Sequence, residues 1–114
     1  MIFKRELAEA IVQGRKTVTR RRVSGNPRSP WYRRRCGYRV GQTFTVNPGR
    51  GVANIGRARV IAVVREHLGH LTDEQARAEG FASAEEFYST WKLINKRYDP
   101  LVHVWRLEFE PVTA

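Results

Sequence analysis

Apolar side chains follow two rhythms along this chain, and each change of rhythm marks an element. Phe3, Leu7, Ala10 and Ile11 recur at three- and four-residue steps, the spacing of one helical face, and Gly14 stands where such a helix would stop. Val18 to Val23 suits an extended conformation. Gly41 to Val46 alternates every second residue, with Phe44 and Val46 on the inward side, and Asn47-Pro48-Gly49-Arg50-Gly51 has the composition of a turn. Arg57 to Val64 carries apolar residues on both faces after Arg59, which predicts a strand well inside a sheet or barrel.

The helical rhythm then returns. Thr72-Asp73-Glu74-Gln75 and Ser83-Ala84-Glu85-Glu86 both have the capping-box form, in which the first and fourth residues satisfy each other's free amides. Gly80 closes the first of these helices, and Phe87, Trp91 and Ile94 form the expected buried stripe of the second. Tyr98-Asp99-Pro100 breaks that helix. His103, Trp105, Leu107 and Phe109 alternate with Val102, Val104, Arg106 and Glu108, giving a last strand with one apolar face, on which His103 reads as a hydrogen-bonded core residue. The order of helix, strands, two helices and strand predicts an α+β chain. Residues 1–114 are expected to form one domain, a small mixed β-barrel with short covering helices.

Between Phe44 and the first helix the pattern lapses. Ser24 to Gly41 is rich in Gly, Pro and Ser and interleaves Trp31, Tyr32 and Tyr38 with Arg28, Arg33, Arg34, Arg35 and Arg39. It reads as a long basic loop, about 24–41. Its aromatic faces and guanidinium groups are the mixture used by single-strand nucleic-acid binders, although Trp31 and Tyr32 would equally serve to pin the loop to the body.

Charge sharpens this picture. The chain has 114 residues and a net charge of +10, and it is segregated: 14 Lys or Arg and no Asp or Glu lie between Ala10 and Arg65, whereas Glu66 to Ala114 is net acidic. Such clustering points to a polyanionic partner, RNA or single-stranded nucleic acid, rather than a membrane, since no stretch reaches spanning length. One cysteine, Cys36, excludes an intramolecular disulfide and a four-cysteine zinc site, though among arginines its thiol is a candidate for a lowered pKa. The first residues become charged at once, unlike a secretory leader, so a cytoplasmic location is expected. His67 and His70 have helical spacing but no third ligand in register, so no metal and no cofactor is expected.

The densest chemistry lies in Gln13-Gly14-Arg15-Lys16-Thr17-Val18-Thr19-Arg20-Arg21-Arg22. Lys16 and Thr19 are three apart, and on a strand they would face opposite ways. An amine beside a hydroxyl therefore requires a turn at about Lys16 or Thr17. Surrounding arginines would lower the lysine's proton affinity, as a base requires. A lysine that stays charged and binds phosphate or a carbonyl is the competing reading. Glu79 precedes Gly80 at a helix end, where the helix dipole disfavours an anion, so it calls for a cationic partner. Arg20 and Arg50 are the candidates for paired hydrogen bonds to a ligand phosphate.

With those residues in place, the chain resembles the ASCH domain family of the PUA-like superfamily. The likeness runs from Gly14-Arg15-Lys16-Thr17-Val18-Thr19-Arg20 through Val40-Gly41-Gln42-Thr43-Phe44, Pro48-Gly49-Arg50 and Leu71 to Phe81, then Trp91, to Val104-Trp105-Arg106-Leu107-Glu108-Phe109. The resemblance implies a PUA-like β-barrel whose cleft is lined by the opening motif, and an association with RNA or a modified nucleoside. One branch, similar in that motif, hydrolyses the acetyl amide of N(4)-acetylcytidine. Its lysine, threonine and glutamate fall on Lys16, Thr19 and Glu79, with Arg15 and Arg20 beside them. Another branch comprises ribonucleases of single-stranded RNA, which the arginine-rich loop suits better. A non-catalytic nucleic-acid binder using Trp31, Tyr32, Arg33, Arg34 and Arg35 is the alternative from outside enzymology.

Overall fold

A computed structural model of the chain describes residues 1–112. Helix α1 (Arg5–Val12) is followed by β1 (Val18–Arg22), a short pair β2 (Trp31–Tyr32) and β3 (Arg35–Cys36), then β4 (Thr43–Val46) and β5 (Gly56–His67). Helices α2 (Asp73–Ala78) and α3 (Ala84–Asn95) lead into β6 (His103–Val112). None of these helices is long and apolar enough to cross a membrane.

The main sheet is antiparallel, in the order β1-β6-β5-β4, and β2 pairs with β3 in a separate ribbon. The α+β class expected from the pattern is the one observed. The barrel is not closed: β1 and β4 are the two edges of an open sheet, where a barrel would join them. The amino-terminal segment lies in that gap instead. Phe3 N–H donates to Asn47 O at 2.9 Å on the β4 side, and Arg21 Nη2 donates to Ile2 O at 3.1 Å on the β1 side. One edge is thus met by backbone and the other by a side chain, so the ladder never completes.

Both faces of the sheet are covered, which explains why β5 and β6 carry apolar residues on both sides. On one face Leu107, Phe109, Val60 and Ala58 pack with Ile11 and Ala8 of α1, Phe3 and Phe44. On the other, Val104 packs with Ala76, Phe87 and Trp91 of α2 and α3. A register shift between Val60 and Ala62 switches the phase of β5 and leaves Ile61 half exposed.

Three expectations fail here for identifiable reasons. Ile94 is 69% exposed, because the cluster that α3 joins takes Phe87 and Trp91 and does not extend to its last turn. His103 is exposed at the start of β6, one residue before the core begins at Val104. His67 ends a strand rather than sharing a helix with His70. The capping box at Thr72 forms in full, with Gln75 N–H donating to Thr72 Oγ1 and Thr72 N–H to Gln75 Oε1. At Ser83 only half of it does, since Glu86 accepts from Ala82 N–H instead.

Candidate functional site

Two glycine-terminated helices deliver the site. At the end of α1, Arg15 N–H donates to Ala10 O and Gly14 N–H to Ile11 O, while Gly14 takes the left-handed φ of 78°. At the end of α2 the same pattern recurs: Phe81 N–H donates to Ala76 O, Gly80 N–H to Arg77 O, and Gly80 has φ 97°. Both are Schellman endings, in which a left-handed residue lets the chain turn back across the last carbonyls. Lys16 lies just beyond the first ending and Glu79 just before the second. The turn required at Lys16 and Thr17 is therefore built by Gly14, and it frees Lys16 from the face alternation of β1.

The Lys16 side chain is 2% exposed, and all three of its protons are donated: to Val18 O at 2.7 Å, to Glu79 O at 2.6 Å and to Glu79 Oε1 at 3.3 Å. The other Glu79 oxygen accepts from Arg20 Nη1 at 2.7 Å. Glu79 is itself buried, so the anion at the helix end has the cationic partners it calls for, two of them. Burial pushes the Lys16 amine below its ordinary range; the Glu79 carboxylate opposes this, and Arg21 and Arg20 reinforce it. Desolvation, rather than the crowd of arginines, is the leading cause.

Thr19 is buried on β1 beside this cluster, and its oxygen accepts from Arg21 Nε at 3.4 Å. No hydrogen bond joins it to Lys16; the amine is committed to Val18 and Glu79. Arg21 shares a strand face with Thr19 by the period of two, and its guanidinium lies 5.2 Å from the Phe3 ring centre and 5.5 Å from that of Trp31. It is the residue that the motif reading undervalued, although the same periodicity could have found it.

The arrangement opens into a cleft of about 210 Å3, whose lining includes Phe3, Leu7, Lys16, Thr19, Arg20, Arg21, Glu79, Phe81, Trp91 and Ile94. Its walls are apolar and its floor is charged. Thr17 O accepts from Phe109 N–H, and Val23 N–H donates to His103 O. The odd residues of β1 therefore exchange the ladder bonds with β6, and the even ones turn their peptide groups to the free edge. Val18 O is already held there by Lys16; Arg20 presents its N–H and C=O on that same side. Arg20 Nε is the buried side-chain nitrogen that lacks a partner among the described residues.

The remaining candidates lie elsewhere. Arg15 is exposed and bonded to Gln13 Oε1, and Arg50 is on the exposed turn after β4; neither lines the cleft. Trp31 is stacked on Tyr38 at 5.3 Å between ring centres, and the main-chain oxygens of Trp31 and Tyr32 accept from Trp105 Nε1. This aromatic pair pins the loop to the sheet, leaving Arg33, Arg34 and Arg35 exposed at the β2–β3 turn. Cys36 is buried, and burial pushes its thiol up, opposite to the direction that its arginine neighbours suggest in sequence.

No family model matches the chain, and no curated protein matches it. Solved structures do. The chain is similar to an ASCH domain from Lactobacillus crispatus JV V101 at 15% identity and a TM-score of 0.61, over 92% of this chain and 69% of that one. It is also similar to a protein of Enterococcus faecalis V583 assigned to DUF984, at 20% identity and a TM-score of 0.66, over 93% and 69%. At these identities the likeness is one of fold: the chain has the α+β fold of ASCH-domain structures.

Proposed function

We propose that the cleft takes a single unstacked base, as a modified nucleoside or at an accessible position of an RNA strand. The observation that carries this reading is the unpartnered, buried Nε of Arg20, a residue that lines the cleft together with Phe3, Phe81 and Trp91. A buried donor without an acceptor costs roughly 1–3 kcal/mol. A ligand that brings a carbonyl or ring nitrogen offsets that cost once the Arg20 guanidinium turns to meet it, because Nε has no exposed surface as it stands, and aromatic walls favour a flat ring. The volume is below the roughly 300–1,000 Å3 of drug-sized pockets, which suits one ring rather than a whole nucleotide. Titrating cytidine, N(4)-acetylcytidine and a short single-stranded RNA while following Trp91 fluorescence tests the reading. Saturable binding that weakens in Arg20→Gln is expected, and no binding by the intact chain would overturn it.

A second step, amide hydrolysis, is supported by the Thr19 hydroxyl in the same cleft and by the lowered proton affinity of Lys16. Thr19 Oγ1 would bond to the acyl carbonyl carbon of an N(4)-acetylcytidine-like substrate. The C–N bond would break as the exocyclic amine left with a proton, and water would then release acetate from Thr19. Arg21, donating to Thr19 Oγ1, stabilises the oxygen as its proton leaves. Lys16 can accept that proton only as the neutral amine, so one of its three protons must first pass to Glu79 Oε1, the longest of its three contacts. Cytidine release that persists in Thr19→Val would eliminate the covalent route while leaving base binding intact. The exposed Arg33, Arg34 and Arg35 give a polyanion a place to lie outside the cleft, which supports RNA over a free nucleoside as the natural partner.

A further inference from the structure

Two histidines stand outside the cleft. His67 ends β5, His103 begins β6, and they are direct register partners. Leu68 N–H donates to Val102 O, and the His103 main-chain oxygen accepts from Val23 on the β1 side. The His67–His103 pair is therefore of the non-hydrogen-bonded kind, in which facing Cα atoms close to about 4.5 Å and side chains on the shared face are nearest. Their ring centres lie 4.4 Å apart with the planes tilted by 50°, and both residues are exposed. His70, the partner that spacing suggests, is instead beside the rings of Tyr98 and Tyr88.

We propose that His67 and His103 form a two-imidazole site for a borderline divalent transition-metal ion of the Ni2+ or Zn2+ class. Imidazole nitrogens hold such ions at about 2.0–2.1 Å. One ion bridging a nitrogen of each ring fits the ring separation that the strand register imposes, and exposed rings can rotate to aim their lone pairs. Among the described residues no cluster of three or more His, Cys, Asp or Glu is present, so water fills the other positions and the ion is exchangeable. Arg65 lies next along the same face of β5, and the chain is strongly cationic, so general electrostatic attraction cannot account for uptake.

The full chain is titrated with Ni2+ and with Zn2+ by calorimetry, alongside His67→Asn, His103→Asn and His70→Asn. One ion per chain is expected. Loss of either facing ring removes an intramolecular contact and weakens binding by roughly tenfold or more, whereas His70→Asn leaves it unchanged. Imidazole proton resonances of His67 and His103, but not of His70, should shift or broaden on addition of metal. No binding by the intact chain, affinity in His67→Asn or His103→Asn unchanged from that of the intact chain, or a loss specific to His70→Asn would overturn the assignment.

Discussion

Lys16 and Glu79, 63 positions apart in sequence, meet with Nζ 3.3 Å from Oε1, and the same ammonium donates to the Glu79 main-chain oxygen at 2.6 Å. One cation thus holds both the side chain and the backbone of a single residue. The carboxylate is shared with Arg20, so the two partners are not equivalent. Glu79→Gln leaves two buried cations facing each other with no counter-charge, and should cost about 3–5 kcal/mol. Lys16→Met should cost less, because Arg20 still neutralises Glu79. Urea unfolding of both variants and of the double variant checks this, and the two losses should not add, with a coupling of roughly 1 kcal/mol or more. Equal losses would mean that Arg20 does not share the carboxylate.

The alkaline range separates two opposing titrations. Lys16 is held below its ordinary 10.5 by burial, so over the window between its folded value and 10.5 the unfolded chain binds more protons and stability rises with pH. Tyr98 behaves oppositely. Burial, with Tyr88 beside it, pushes its phenol up from 10.0 to about 12, so between those values the folded chain binds more protons and stability falls as pH rises. Denaturant midpoints measured against pH should lose the rise in Lys16→Met and the fall in Tyr98→Phe. Unaltered profiles in both would show that neither group carries the linkage.

What the sequence disclosed of this site follows from how local each signal is. Gly14 and Gly80 are legible as helix stops, and Glu79 is legible as an acid placed against the helix dipole. The meeting of the two helix ends is tertiary, and no periodicity announces it. The donation of all three Lys16 protons away from Thr19 was equally out of reach, because Val18 O becomes available only once β1 is known to be an edge strand. Barrel closure failed for the same reason. Alternation identifies strands, but the choice between a β1–β4 ladder and an intervening amino-terminal segment is made by Phe3, whose ring fills the core where a closing strand would pack. Ile94 and His103 depart from the expected burial because periodicity reports a face without reporting where the opposing layer ends.

Gly80 should be less replaceable than Gly14, although both have left-handed φ. A Cβ on Gly14 meets nothing within 4 Å, so Gly14→Ala bears only the backbone cost, about 1–2 kcal/mol. On Gly80 it would sit 2.9 Å from Leu7 Cδ2, the end of a side chain that can turn aside, and 3.3 Å from Lys16 Cδ, adding an overpacking cost of about 1 kcal/mol, the low end of the usual range. Gly80→Ala should also displace Lys16 and weaken ligand binding, which Gly14→Ala should leave nearly intact. Thermal unfolding and base binding measured on the two variants give the comparison, and similar losses from both would argue that the helix endings converge less tightly than described.

If the proposed RNA strand is bound, the arginine-rich ribbon should make a separable contribution, and ionic strength is the lever that isolates it. Arg33, Arg34 and Arg35 are exposed and make no ion pair among the described residues, so an RNA strand could use all three. Each phosphate contact to a single strand contributes about 0.7 to the slope of log affinity against log salt, so alanine at all three should reduce that slope by about 2. The cleft is untouched by those changes, and binding of a free nucleoside should not alter. Trp31→Ala should act differently: its ring is stacked on Tyr38 and packed against the core, so its loss should lower the unfolding midpoint before it affects the salt slope. An unchanged slope in the triple variant would move the polyanion contact off the ribbon and onto the other exposed arginines.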